Sequence, residues 1–226
     1  MKFLLTNDDG YDAPGIKTLR RAVAGETITV APLEHQSGCS HRVTQYGEHL
    51  NVEEKFVDVH AVDGRTADCA RLGIVHLAQD ADWVLSGVNL GGNLGHDIYL
   101  SGTVAGAREA AYLGKPAIAF SQYIKMNLTL DWSITEGWTR RVLETILAEP
   151  IEPHTYWNVN FPHLEAGNEE PRIIICEPCR QSLPITYRVE GDRYTYAGVY
   201  AERVREPGKD ADVCFSGNIA VSKLQL

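Results

Sequence analysis

A chain of 226 residues in which 44% are apolar and 23% charged can bury a full core, and it is too apolar to remain disordered. Its formal charge of −9 at pH 7 leaves no basic surface to neutralise a nucleic-acid backbone or an anionic membrane, so neither is expected as a partner. The same acidity would repel an anionic substrate unless a cation or backbone N–H groups reversed the sign locally, which turns attention to a metal cofactor.

At the start, Phe3-Leu4-Leu5 is an apolar run far too short for a signal-peptide core, and no later stretch approaches the roughly 20 apolar residues of a membrane span. The expectation is a cytoplasmic protein whose five cysteines are reduced thiols. Residues 2–6 read as a continuous apolar strand ending at Asn7-Asp8-Asp9-Gly10, and Pro14 opens a helix to about residue 24. Residues 26–32 are β-branched and stop at Pro32, ahead of the polar segment His35-Gln36-Ser37-Gly38-Cys39-Ser40. Alternation over 50–62 suggests partly exposed strands, and 66–78 reads as a helix with Thr66 as its N-cap.

Residues 82–87 form the next buried-type strand and lead into Val88-Asn89-Leu90-Gly91-Gly92-Asn93-Leu94-Gly95. Ser101-Gly102-Thr103 precedes a small-residue helix to about residue 113, and Gly114 and Pro116 frame a strand at 117–121. A helix over 131–148 and strands at 157–161 and 172–176 complete an alternation that predicts a doubly wound, mostly parallel, Rossmann-like α/β sheet. Cys176-Glu177-Pro178-Cys179 has redox spacing but no second pair and no helix to open, so it is read as structural. Residues 186–204 differ from the rest: two Tyr-rich alternating runs flank Glu190-Gly191-Asp192, which predicts a protruding β-hairpin that packs on a neighbouring subunit or, failing that, on its own domain. The whole chain, 1–226, is read as one domain carrying this arm.

Ligands of doubly wound sheets bind beyond the carboxyl ends of the strands, and three such ends here carry oxygen donors: Asp8 with Asp9, Ser37, and Asn89 with Asn93. Two carboxylates, a hydroxyl and an amide suit a hard divalent cation such as Mg²⁺ or Mn²⁺. Neighbours on an extended strand point to opposite faces, so Asp8 and Asp9 can serve one ion only if the chain bends, which Gly10 permits. Taken alone, Asn-Asp-Asp-Gly is more often a solvated turn. Ser101, Gly102 and Thr103 at a helix start offer hydroxyls and free N–H groups to a phosphate, with an ordinary Ser or Thr cap as the plain alternative. The glycines of 87–95 do not form GxGxxG, and there is no Walker A lysine motif. Of the eight histidines, His35, His41 and His96 lie in or beside these loops, and His96 is singled out for mutation.

These motifs, taken in order, resemble the SurE survival-protein family. The resemblance rests on Leu4-Leu5-Thr6-Asn7-Asp8-Asp9-Gly10 with Ala13-Pro14-Gly15-Ile16, on Ala31-Pro32 with Gln36-Ser37-Gly38-Cys39-Ser40, and on Ala67-Asp68-Cys69. It continues through Ser86-Gly87-Val88-Asn89, Gly92-Asn93-Leu94-Gly95, Ser101-Gly102-Thr103-Val104 and Trp157-Asn158-Val159-Asn160-Phe161-Pro162 to Lys209-Asp210 and the segment ending at Leu224. The resemblance implies a metal-dependent nucleotidase acting on nucleoside 5′- and 3′-monophosphates, with one divalent cation per subunit on Asp8, Asp9, Ser37 and Asn89. It places Asn93, Ser101, Gly102 and Thr103 at the phosphate, and implies a homodimer or homotetramer built with a swapped hairpin near 186–204. Asp8 and Asp9 are then the expected catalytic pair. Gly64-Arg65-Thr66 stands where the family usually has Gly-Thr-Pro, and Leu33-Glu34-His35 replaces a more polar stretch, so nucleotide preference is open. The rivals are a hydrolase of short polyphosphate or other small phosphate monoesters, and a non-catalytic nucleotide-binding assembly protein.

Overall fold

Along β1 (Lys2–Thr6) alternate side chains enter two different cores, as a strand covered on both faces requires. Phe3 and Leu5 pack with Ile16 and Leu19 of α1 (Pro14–Ala22) and Val142, Leu143 and Ile146 of α5 (Trp132–Ile146). Leu4 packs instead with Cys69 of α2 (Thr66–Leu72) and with Val104, Ala107, Ala110 and Ala111 of α4 (Gly102–Tyr112). The small residues of α4 let this helix lie close on the sheet, as their spacing predicts. The computed structural model describes residues 1–165 and 167–226.

The other strands are β2 (Glu26–Pro32), β3 (Val52–Phe56), β4 (Val59–Val62), β5 (Trp83–Leu90), β6 (Ala117–Gln122), β7 (Thr155–Phe161), β8 (Ile173–Ile175), β9 (Tyr187–Glu190), β10 (Arg193–Tyr196) and β11 (Ile219–Gln225). With β1, eight of them form one nine-stranded sheet in the order β3-β4-β2-β1-β5-β6-β7-β11-β8. The ladders are parallel except for β3 with β4 and β11 with β7. After β1 the chain builds outward through β2 and β4, then returns to β5 and builds the opposite way through β6 and β7. The switch in direction therefore falls between β1 and β5, and the crevice beyond their carboxyl ends is the natural ligand position.

Three local expectations are corrected. Arg65, not Thr66, is the N-cap of α2, with the Asp68 carboxylate accepting from the Arg65 N–H at 3.0 Å. The helix also ends earlier, at Leu72, and passes into a π turn at Gly73–Leu77. Two elements, α6 (Asp210–Phe215) and β11, have no counterpart among the expected ones, and β11 inserts between β7 and β8, antiparallel to β7. The hairpin forms as expected, β9 pairing antiparallel with β10 about Gly191 and apart from the main sheet, but it ends at Tyr196. From there the chain returns to the body through a short 3₁₀ turn at Tyr200–Glu202, and Arg203 is buried. A further short helix, α3 (Asp97–Leu100), precedes α4. All five cysteines are free thiols.

Candidate active site

The chain bends just past β1 because the Asn7 side chain closes a turn on itself: its Nδ2 donates to the Gly10 carbonyl at 2.9 Å and its Oδ1 accepts from the Gly10 N–H at 3.2 Å. Gly10 has φ +111°, a conformation that a side chain would disfavour, so the expected bend falls on the residue able to make it. Asp8, 5% exposed, turns toward the start of α4 and accepts a short hydrogen bond from the Thr103 hydroxyl. Asp9 turns toward the end of β5, where its Oδ2 accepts from the Leu90 N–H at 3.4 Å. Gly102 makes the first approach feasible, since a Cβ there would lie 2.9 Å from Asp8 Oδ2 and 3.0 Å from Cys39 Sγ.

Burial raises the pKa of Asp8, and the neighbouring Asp9 charge raises it further against the Thr103 hydrogen bond. Burial likewise raises Asp9. Among the described residues, the one basic side chain within 4 Å of this pair is His35, whose Nδ1 lies 3.3 Å from Asp9 Oδ1 on a side chain 60% exposed. The same burial, with Asp8 next in strength, pushes the Cys39 thiol up, so it is a poor nucleophile.

The remaining expected residues divide into two groups. Ser101 is the N-cap of α4, its hydroxyl accepting from the Val104 N–H at 3.1 Å, so the capping alternative holds for its lone pairs. The Thr103 hydroxyl is committed to Asp8. What the helix start offers an anion is therefore the backbone N–H groups of Gly102 and Thr103, which precede the first intrahelical bond, from Ala105 to the Ser101 carbonyl. Ser37 is exposed and has no hydrogen bond to the other candidates among the described residues; its segment is held by the Gln36 N–H donating to the Asp8 carbonyl at 2.7 Å.

Asn89 is half-buried at the end of β5 and donates to the Gly91 carbonyl at 2.8 Å, which leaves its side-chain oxygen free of that bond. Asn93 is buried, and its backbone and side-chain amide nitrogen are held. Its Nδ2 donates to Ser121 Oγ at 2.8 Å, its N–H donates to Asn160 Oδ1 at 2.7 Å, and its carbonyl accepts from Asn158 and Asn160 at 2.9 and 3.0 Å. Asn89, Ser121 and Asn160 are cross-strand neighbours on β5, β6 and β7, so Asn93 lies one strand from Asn89. His96 is a correction: it lines a cavity of about 830 Å³ with Tyr99, Arg108 and Tyr156, a space that contains none of the eight candidate residues. The histidine at the carboxylates is His35.

A model of the family described as "Survival protein SurE" matches residues 3–183. The chain belongs to the SurE family. It is 48% identical to a Nostoc sp. protein across the full length of both chains. It is 35% identical to the 5′-nucleotidase SurE of Paramagnetospirillum magneticum, covering 99% of this chain and 89% of that one. The crystal structure of the SurE protein from Aquifex aeolicus superposes with a TM-score of 0.87 at 34% identity, covering 100% of this chain and 93% of that one. The SurE fold thus extends over the whole chain, including the strand β11 that sequence reasoning missed.

Whether this SurE chain could hold a divalent cation is tested by its donors and its unbalanced charge. Asp8, Asp9, Ser37 and Asn89 are all oxygen donors, the set a hard cation prefers. The two carboxylates are adjacent, poorly solvated and, among the described residues, without a buried basic partner, and the bare Gly102 leaves room that any Cβ would fill. No cluster of three His, Cys, Asp or Glu side chains is assembled among the described residues, so hydroxyl, amide and water oxygens would have to complete the shell. On these grounds the residues fit.

Proposed function

We propose that this SurE-family chain is a divalent-metal-dependent phosphatase that hydrolyses nucleoside 5′-monophosphates, and 3′-monophosphates as a second class, to nucleoside and phosphate. The observation that carries the reading is the adjacent carboxylate pair, bent toward the start of α4 on one side and the end of β5 on the other. Relatives named 5′-nucleotidase SurE, aligned over nearly the whole chain, favour the same activity.

Asp8, Asp9, Ser37 and Asn89 would hold one Mg²⁺ or Mn²⁺. Bound there, the cation would neutralise phosphoryl charge and polarise the phosphorus for attack. Asp8 is committed to Thr103 and is assigned to holding the cation. Asp9, which retains contact with solvent, accepts a hydrogen from the attacking water and directs its lone pair in line with the scissile P–O bond. The N–H groups of Gly102 and Thr103 take equatorial phosphoryl oxygens, and Asn93 fixes the phosphate from the other side. The P–O bond to the nucleoside breaks, and the leaving oxygen takes a proton from solvent.

The assay is phosphate release from a panel of nucleoside 5′- and 3′-monophosphates and short polyphosphate, with and without chelator. Chelator-sensitive release from the monophosphates is expected. Release from polyphosphate alone would favour the rival hydrolase, and nucleotide binding without turnover would favour an assembly protein.

The hairpin is proposed as an oligomerisation arm of a homodimer or homotetramer. Tyr187, Val189, Tyr194 and Tyr196 are each more than half exposed, and a lone two-stranded hairpin is marginal in water without a partner surface. Removing residues 187–196 should lower the mass measured by light scattering; an unchanged mass would reject the arm.

A further inference from the structure

Arg203, just past the hairpin, has a completely buried side chain, and its bonds converge on the loop that carries Asn93. Its Nη1 donates to Asp97 Oδ2 at 2.7 Å and its Nη2 donates to the Leu94 carbonyl at 2.9 Å, so one planar fork grips both ends of a single turn. That turn is closed locally as well, by the Asp97 N–H to the Leu94 carbonyl at 3.1 Å and the Leu94 N–H to Asp97 Oδ2 at 3.3 Å. Tyr200, whose ring lies 5.1 Å from the guanidinium, donates its hydroxyl to the same Asp97 Oδ2 at 2.7 Å. Behind the turn, Asp210 accepts from the Gly95 N–H at 2.7 Å.

A buried ion pair contributes little net stability, because desolvation offsets most of its Coulomb energy. A fork that fixes the residue next to a functional side chain has a clearer use in geometry than in stability. We infer that Arg203, assisted by Tyr200, is a positioning residue: it holds the Leu94–Asp97 turn so that Asn93 is presented to the phosphate at the start of α4. The inference rests on the assignment of Asn93 to the phosphate under the proposed function. It also ties the base of the hairpin to the site, so the segment that would meet a second subunit is covalently continuous with the one that aligns Asn93.

The test uses the full chain and the variants Arg203→Lys, which keeps the charge beside Asp97 but loses the two-point fork, and Tyr200→Phe, which removes one hydroxyl without changing shape. At saturating Mn²⁺, Arg203→Lys should lower kcat for a nucleoside monophosphate by about tenfold or more, with a smaller rise in KM, and Tyr200→Phe by roughly threefold. Mn²⁺ affinity without substrate should stay within about twofold, since neither residue touches Asp8 or Asp9. In an Asn93→Ala background the Arg203→Lys change should have little further effect, because it acts through the side chain already removed. Equal losses in both backgrounds, or wild-type kinetics in a folded Arg203→Lys protein, would overturn the inference.

If the wild-type chain releases no phosphate from any nucleotide, the proposed function fails but the positioning claim is still decided by hydrogen exchange. The amides of Asn93, Leu94 and Gly95 should exchange faster in Arg203→Lys than in wild type. Unchanged protection there would overturn it.

Discussion

The two sides of the crevice solve opposite problems. On the β1 side, Asp8 and Asp9 sit poorly solvated with raised pKa values, one hydroxyl bond and one long amide bond between them, and an exposed histidine at the edge. On the β7 side, the backbone of Asn93 has its N–H and carbonyl satisfied by Asn158 and Asn160, and the turn that follows is gripped by Arg203 and Asp97. One side is electrostatically incomplete, as the proposed cation site requires; the other is held by a network of amide and guanidinium hydrogen bonds before any ligand arrives. Neutralising the first should cost activity and favour stability, whereas breaking the second should cost both.

The largest effect expected from this contrast is that of Asp8→Asn, which should cut phosphate release by about 100-fold or more at saturating Mn²⁺. The same variant should melt no lower than wild type in chelator, because it removes a buried like charge. A melting temperature several degrees lower would show that Asp8 is structural. Gly102→Ala comes next: its Cβ would press on Asp8 Oδ2 and Cys39 Sγ, so Mn²⁺ affinity and kcat should fall together by about tenfold. Wild-type Mn²⁺ binding by Gly102→Ala would show that the approach of Asp8 to α4 is not needed.

On the rigid side, Asn160→Ala strands the buried Asn93 N–H and should lower unfolding free energy by about 1–3 kcal/mol in denaturant melts, with activity falling as Asn93 shifts. Loss of neither would dissolve the contrast. The smallest effect concerns pH. A carboxylate whose pKa is raised on folding contributes stability that is fully present below the unfolded value, near 4, and lost as pH rises through its raised range. In chelator, the melting-temperature advantage of Asp8→Asn or Asp9→Asn over wild type should therefore grow as pH rises from about 4 and then level off. An advantage that shrinks over that window would contradict the direction of the shifts.

The acidic side was legible in the sequence because its signals are local. An apolar run stopping at Asn7-Asp8-Asp9-Gly10 gives the strand, the donors and the bend within nine residues, and Pro14 fixes the helix that follows. The amide side was legible only in Asn93 and in the motif that carries Asn158 and Asn160; that these amides bond one another was not, although part of that could have been found. Asn158 and Asn160 alternate with Trp157, Val159 and Phe161, so two amides share one face of an otherwise apolar strand, a pattern that demands buried partners. Arg203 carries no such signal, because its partner Asp97 lies 106 residues earlier and only the fold brings them together. The insertion of β11 between β7 and β8 is hidden for the same reason: periodicity reports a strand's faces, not its neighbours. His35, not His96, stands at the carboxylates because the segment after β2 folds back on the Asp8 carbonyl, a return that nothing in the local sequence reports.

The central claim is that the Asp8 and Asp9 pair holds a divalent cation, and anomalous scattering from crystals soaked in Mn²⁺ tests it most directly. One strong peak per chain, within coordination distance of both carboxylates and of Asn89, is the predicted result. No peak there at saturating Mn²⁺, or a peak confined to another part of the surface, would contradict it.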